Sequence, residues 1–288
     1  MIVDTLALVG TGLIGGSLAL ALKEAGAVGT VLGVGRDPAR LTLARELGLI
    51  DRIVEWRDAG QADCVMLALP VGETQAVLCQ LAPHLKPGAI VTDAGSTKAN
   101  VVAAARAALG ARFADFVPGH PIAGSEQSGP GAARADLYHR RRVVLTPQDE
   151  TRIDAVTTVR ALWEAAGAQV ETLDAGQHDR IFAAVSHLPH LAAFALVDDL
   201  AQRPDRDVYF RFAASGFRDF TRIAGSSPEM WRDIALANRE ALLAELDAYA
   251  VALQTVRTAV AADDAEALLK IFSRARTARE HWIKTQDV

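Results

Sequence analysis

The chain is short of cysteine, of clustered positive charge and of long apolar runs, and each shortage removes a class of protein. Two cysteines in 288 residues, Cys64 and Cys79, cannot build a disulfide scaffold, so a reducing cytoplasm is the expected location. Lys and Arg together number 30 against 35 Asp and Glu, a net charge of −5, which argues against a nucleic-acid surface. Only His139-Arg140-Arg141-Arg142 is locally basic, and it reads as a short solvated run. No apolar run approaches the ~20 residues that span a bilayer, so no membrane partner is expected. The first residues carry no basic segment followed by an apolar stretch and a small-residue cleavage site. Internal repeats and low-complexity segments are also missing.

Half of the composition is apolar, enough for a substantial core in one large or two modest domains. Short apolar runs at 5–9, 31–34, 64–69, 89–92, 113–117, 142–145 and 169–172 alternate with helical patterns at 13–24, 38–47, 73–85, 98–109 and 151–166. That rhythm predicts an α/β fold of the Rossmann type, a parallel sheet with helices on both faces. Strand signals stop near residue 173. The expected division is therefore a nucleotide-binding domain over 1–173 and an all-helical domain over 174–288. A helix over 177–202 contains Pro189 as an expected kink. Ser227-Pro228-Glu229 supplies a cap, a proline and a first-turn acid for a helix that could run ~50 Å to residue 261. Leu236, Leu243 and Ala250, with Leu246, Leu253 and Val260, give it an apolar stripe longer than one small domain covers, and the chain is expected to dimerise through these carboxy-terminal helices.

Gly10-Thr11-Gly12-Leu13-Ile14-Gly15 follows an apolar strand and opens a helix. In that context Gly10 permits the tight turn, Gly12 lets backbone meet a pyrophosphate at the helix amino terminus, and Gly15 allows close helix packing. The end of the second strand reads Gly33-Val34-Gly35-Arg36-Asp37, with glycine where an NAD site usually places its ribose-binding acid. A guanidinium can pair with a 2′-phosphate that a carboxylate would repel, so NADP is favoured over NAD, while Asp37 keeps NAD open. Leu69-Pro70, at the end of a later strand, completes the expected cofactor site.

A second set of segments carries chemistry. Gly119-His120-Pro121-Ile122-Ala123-Gly124-Ser125-Glu126 places a histidine, a hydroxyl and a carboxylate on what reads as a loop held by glycines and proline, and a histidine can take a proton near neutral pH. Asp93-Ala94-Gly95-Ser96-Thr97-Lys98 follows a strand; Ser96 could orient His120 or cap a helix. Ser186-His187-Leu188-Pro189-His190 can crowd one helix face; no third ligand accompanies the two histidines, so no metal is expected. Ser215-Gly216-Phe217-Arg218-Asp219-Phe220-Thr221-Arg222-Ile223-Ala224 puts Asp219 three residues before Arg222, where it could orient the guanidinium or simply form a helix salt bridge.

Together, and in this order over essentially the whole chain, these segments resemble the prephenate and arogenate dehydrogenase family of tyrosine biosynthesis. The resemblance implies NAD(P)-dependent oxidative decarboxylation of prephenate to 4-hydroxyphenylpyruvate, of L-arogenate to tyrosine, or of both. It implies that His120 accepts the ring hydroxyl proton, that Arg222 holds a substrate carboxylate, and that Ser186, His187 and His190 line the substrate pocket. Ser125 could contact substrate or only close its turn. Glu126, a carboxylate in a pocket for a dianion, is expected to gate the site by pairing with Arg222. The β-hydroxyacid dehydrogenases are a rival reading that needs an acid/base lysine, for which Lys98 is the candidate. A non-catalytic dinucleotide sensor would need neither His120 nor Arg222.

Overall fold

The computed structural model describes residues 1–125 and 127–286. The chain runs β1 (Val3–Val9), α1 (Leu13–Glu24), β2 (Val28–Val34), α2 (Pro38–Glu46), β3 (Arg52–Ile53), α3 (Trp56–Ala59), β4 (Cys64–Leu67), α4 (Thr74–Leu81), β5 (Ile90–Asp93) and α5 (Ala99–Leu109). It continues through β6 (Phe116–Val117), β7 (Gly119–Pro121), β8 (Arg142–Leu145), α6 (Ile153–Ala165) and β9 (Gln169–Thr172). Helices follow: α7 (Ala175–Phe182), a π-helical turn (Ala183–His187), α8 (Leu188–Ala201), α9 (Arg206–Phe212), α10 (Ser215–Thr221), α11 (Pro228–Ala237), α12 (Arg239–Ala261) and α13 (Ala265–Gln286). By packing, Met1–Arg239 forms one compact unit and Glu240–Val288 another.

The first six strands form a parallel sheet in the order β3-β2-β1-β4-β5-β6. Leu6 and Leu8 of β1 join Leu18 and Leu22 in a core on one face, while Ala7 and Val9 join Val65 and Leu78 in a core on the other. Burial on both faces is why these strands read as unbroken apolar runs. Cys64 sits inside the sheet, where burial pushes its thiol up to about 12 and leaves it inert.

Several expectations are corrected. The strands do not form one sheet: β7, β8 and β9 make a separate three-stranded sheet, with β7 antiparallel to β8. Pro118 has no N–H for a ladder, and the Gly119 amide donates to the Asp93 side chain at 3.0 Å rather than to a neighbouring strand, so the chain leaves the main sheet there. The His120 segment thus begins as a strand, with His120 paired opposite Val144. The long helix also divides. Asn238 (φ −108°, ψ 33°) ends α11, and α12 starts at the next residue.

Pro189 lies in the first turn of α8, and the irregularity it imposes is taken up one turn earlier by the π-helical segment. Within the resulting 27-residue stretch Ala175–Ala201, an 18-residue window reaches a mean hydropathy of 1.5, enough to cross a membrane by length and composition alone. Its buried positions nonetheless include His178, Asp179 and His187, which hydrogen-bond to β7, to the start of α5 and to Asn238.

Between β1 and α1 the chain turns at Gly10, whose φ is +96°; a Cβ there would lie 2.2 Å from the Ala68 carbonyl oxygen. Left-handed strain and a backbone clash then act together. Gly10→Ala is expected to lower stability by at least ~2 kcal/mol, read as a reduced urea midpoint at unchanged slope. A midpoint equal to that of the parent would contradict this account.

Candidate active site

The glycine-rich turn has the shape of a dinucleotide cradle. A Cβ on Gly15 would fall 2.2 Å from the Gly10 carbonyl and 2.8 Å from Leu8, so helix α1 packs closely only because the position is glycine. Gly12, the cap residue of α1, meets nothing within 4 Å, and no side chain caps the first-turn amides. That open approach with unpaired N–H groups fits a pyrophosphate held by Gly10, Thr11, Gly12, Leu13, Ile14 and Gly15. The Ile14 carbonyl in turn accepts the Tyr138 hydroxyl at 2.5 Å. Leu69 and Pro70 follow β4 beside this turn.

Beyond β2, Gly35 and Arg36 are exposed, and Arg36 pairs with Glu73 at 2.5 Å. Asp37 caps α2, accepting from the Ala39 and Arg40 amides at 3.0 and 3.2 Å. Its carboxylate is therefore engaged at a helix amino terminus.

His120 is buried, and its ring sits in a polar chain. Its Nδ1 lies 2.8 Å from His178 Nε2, and His178 Nδ1 lies 2.8 Å from Asp179 Oδ1. Asp179 also accepts the Lys98 amide at 2.8 Å and the Ala99 amide at 2.9 Å, capping α5 from 80 residues away. Burial pushes this carboxyl up, but the His178 ring and the two amides outweigh burial and hold it below the usual carboxylate value. An ionised Asp179 can only accept. His178 must then carry its proton on Nδ1, leaving Nε2 to accept from His120 Nδ1–H, and His120 Nε2 is left with a bare lone pair. Burial, then the charges of His178, Lys98 and His187, lower His120 well below 6.5, so the ring is neutral and able to take a proton.

A second branch leaves Asp179 through its backbone. Asn238 Nδ2 bonds to the Asp179 carbonyl at 2.8 Å and to His187 Nδ1 at 3.0 Å. His187 therefore carries its proton on Nε2, a buried nitrogen with the Ser96 carbonyl near it. His190 stacks on Trp231 at 3.7 Å, and its Nδ1 donates to the Ser186 carbonyl at 2.8 Å. Burial lowers its pKa first, and the Arg222 charge acts in the same direction. Arg222 opens a 3₁₀ turn after α10, on which Arg218 and Asp219 are exposed; Arg232 is bound to Asp233. Ser125 Oγ accepts the Gln127 amide at 3.2 Å and so closes its turn. Glu126, the expected gate, lies outside the described residues.

Ser96 does not cap α5. That task falls to Asp179, and the Ser96 carbonyl sits near enough to His187 to favour its protonated form. Lys98, the lysine that a β-hydroxyacid dehydrogenase would require, is fully buried with Nζ bound to Asp93 and to the Gly119 carbonyl, out of reach of a substrate. No group of three or more His, Cys, Asp or Glu able to hold a metal occurs among the described residues. Sequence reasoning passed over His178, Asp179 and Asn238. The available signal was spacing: Ala175, His178, Asp179 and Phe182 fall on one buried helix face, where a His-Asp pair is out of place among apolar positions.

A neutral imidazole able to receive a proton, together with a dinucleotide cradle, is what oxidation of an alcohol by hydride transfer requires. The class is a pyridine-nucleotide-dependent oxidoreductase. Comparison with known proteins narrows it: the prephenate dehydrogenase nucleotide-binding domain matches residues 18–172, and the prephenate dehydrogenase dimerization domain matches 174–274. Prephenate dehydrogenase of Bacillus subtilis is 37% identical over 96% of this chain and 76% of its own. Cyclohexadienyl dehydrogenase of Zymomonas mobilis is 36% identical over 95% of this chain and 94% of its own. Among solved structures, prephenate dehydrogenase from A. aeolicus, in complex with hydroxyphenyl propionate and NAD+, superposes with a TM-score of 0.91 at 36% identity, covering 96% of this chain and 98% of that one. The chain belongs to the prephenate dehydrogenase family.

The buried histidines make acid sensitivity predictable. Burial takes His187 from 6.5 to about 4, and His120, His178 and His190 are lowered too. Below pH 6.5 the unfolded chain binds protons that the folded chain refuses, so stability declines as pH falls from about 6.5 toward 4. His187 alone should cost about 2 kcal/mol by pH 5. Urea unfolding at pH 7.5 and pH 5 measures it; equal stability at both would show these rings to be solvated.

Proposed function

We propose that this chain catalyses the oxidative decarboxylation of prephenate to 4-hydroxyphenylpyruvate, with His120 as proton acceptor and Ser96 beside it. The observation that carries the reading is the Asp179–His178–His120 chain, which leaves His120 Nε2 bare and neutral. A nicotinamide dinucleotide held at the Gly10–Gly15 turn would supply the hydride acceptor. As the hydroxyl-bearing ring carbon gives up its hydride, His120 Nε2 takes the hydroxyl proton. The bond to the ring carboxylate then breaks, carbon dioxide leaves, its electron pair stays in the ring, and the ring oxygen recovers the proton from His120. Aromatisation drives this step. Arg222 holds a substrate carboxylate bidentately, and His187 and the Trp231-backed His190 line the same pocket with Ser186, Ser125 and Asp219.

L-arogenate is the second substrate of this reading. NADP is preferred over NAD, supported by Arg36 at the end of β2 and by the engagement of Asp37 at α2. The functional division falls near residue 173, in keeping with the two matched segments. The active form is a cytoplasmic homodimer, for which the dimerization-domain match and the exposed Leu236, Leu243, Leu253 and Val260 speak.

Formation of reduced nicotinamide with both substrates crossed against NAD and NADP tests the assignment. Turnover of prephenate is expected, about 10²–10⁴-fold slower in His120→Asn. Turnover of neither substrate with either cofactor would defeat it. In the same assay Arg36→Ala should reduce kcat/KM for NADP about tenfold and leave NAD within about twofold, the loss of one charge-assisted pair; equal losses for both cofactors would remove Arg36 from selectivity. Sedimentation of the parent at micromolar concentration should give twice the monomer mass, and a monomer that retains full turnover would reject the dimer.

A further inference from the structure

The buried pair Asp93–Lys98 is outside the relay, yet it touches both segments that hold the proposed catalytic side chains. Lys98 Nζ lies 2.5 Å from Asp93 Oδ2, with side-chain exposures of 0% and 3%. The same Nζ donates to the Gly119 carbonyl at 2.7 Å, and the Gly119 amide donates to Asp93 Oδ1 at 3.0 Å. Both backbone groups of the residue before His120 are thereby taken by one ion pair. On the other side the Gly95 amide, one residue before Ser96, donates to Asp93 Oδ2 at 2.8 Å. A Cβ on Gly95 would fall 2.8 Å from that oxygen, so the contact requires glycine. The Lys98 amide, in turn, is one of the two that Asp179 caps.

An ion pair in such a place is a poor stabilising device, because removing two charges from water costs about as much as their attraction returns. What it supplies is fixed geometry. We propose that Asp93 and Lys98 are positioning residues that set the approach of His120 and Ser96 to the substrate and keep the ammonium beside the proton acceptor. This rests on the catalytic reading of His120 given above. The groups that face His120 are His178 on α7, His187 in the π-helical turn, and Lys98 with Asp93 behind β7, the Phe182 ring packing at 4.9 Å. Loss of the Lys98 charge would leave His120 easier to protonate, and loss of Asp93 as well would cancel much of that effect.

The test uses the full-length chain and compares Lys98→Met, Asp93→Asn and the double variant with the parent. Thermal midpoint, kcat, the Michaelis constants for prephenate and nucleotide, and the pH profile of kcat are measured, with the His120 ring followed by NMR. Both single variants should lose about 10–100-fold in kcat while the Michaelis constants move less than about threefold. In Lys98→Met the acid limb of kcat and the His120 titration should move to higher pH. In the double variant, whose melting should stay near that of the parent, the limb should return while kcat stays low. Folded single variants with kcat within twofold and an unmoved limb would overturn the proposal. A double variant that fails to fold would overturn it too, since the pair would then be a folding device. Full turnover by His120→Asn would defeat the catalytic reading instead, and the NMR titration in Lys98→Met would still decide whether the pair sets the ring.

Discussion

The site depends on one carboxylate. Asp179 is buried, so its oxygens must find donors, and they find three: the Lys98 and Ala99 amides at the start of α5 and the His178 ring. A carboxylate at a helix amino terminus contributes ~1–2 kcal/mol through its amide bonds and the helix dipole. Here it does so from α7, a separate helix, and fastens that helix to the edge of the sheet. The same bonds keep Asp179 ionised, and ionisation dictates the tautomer of His178 and then of His120, two rings away. Packing and protonation state are therefore one constraint. Replacing this carboxylate would release a helix end and the proton acceptor together.

The nucleotide-binding half was legible in the sequence because its signals are local. A tight turn needs Gly10, close packing needs Gly15, and β1 and β4 are apolar throughout because each is buried on both faces. The catalytic half was legible as residues but not as geometry. Gly119 and Pro121 spell a loop, yet β7 pairs with β8, whose residues begin 21 positions after Pro121, and no local pattern carries that information. His178 and Asp179 belong to no motif. Asn238 falls within an unbroken helical pattern, and its departure from helical geometry goes with hydrogen bonds from its side chain to Asp179 and His187, contacts that exist only after α7 and α11 have met.

The cofactor end shows how a local rule can mislead about side-chain allegiance. Asp37 has the residue type to meet a ribose, but Pro38 opens a helix immediately after it, and the unpaired amides of α2 claim its carboxylate first. Arg36 is likewise engaged, by Glu73 across the carboxyl edges of β2 and β4. That pair is largely exposed and therefore weak, so a 2′-phosphate with two charges would compete for the guanidinium at small cost. For the proposed NADP preference, selectivity at this position would turn on a competition between carboxylate and phosphate that the residue at the end of β2 does not reveal by itself.

The histidines settle how charge is divided in the pocket. His120, His178, His187 and His190 are all lowered, chiefly by burial, so the site presents neutral rings, and in the proposed reaction the charge that meets an anionic substrate is that of Arg222. A neutral, desolvated imidazole is a poor base, which would be a handicap if it were permanent. It is not, because in the proposed reaction hydride loss leaves positive charge on the hydroxyl-bearing carbon, and the O–H becomes acidic enough for a weak base to take its proton. Hydride loss thus frees the proton at the moment His120 must take it. Departure of carbon dioxide moves that carboxylate's charge through the ring onto the oxygen beside His120, and the buried imidazolium returns its proton there. The burial that weakens the free base is also what makes the imidazolium give its proton back.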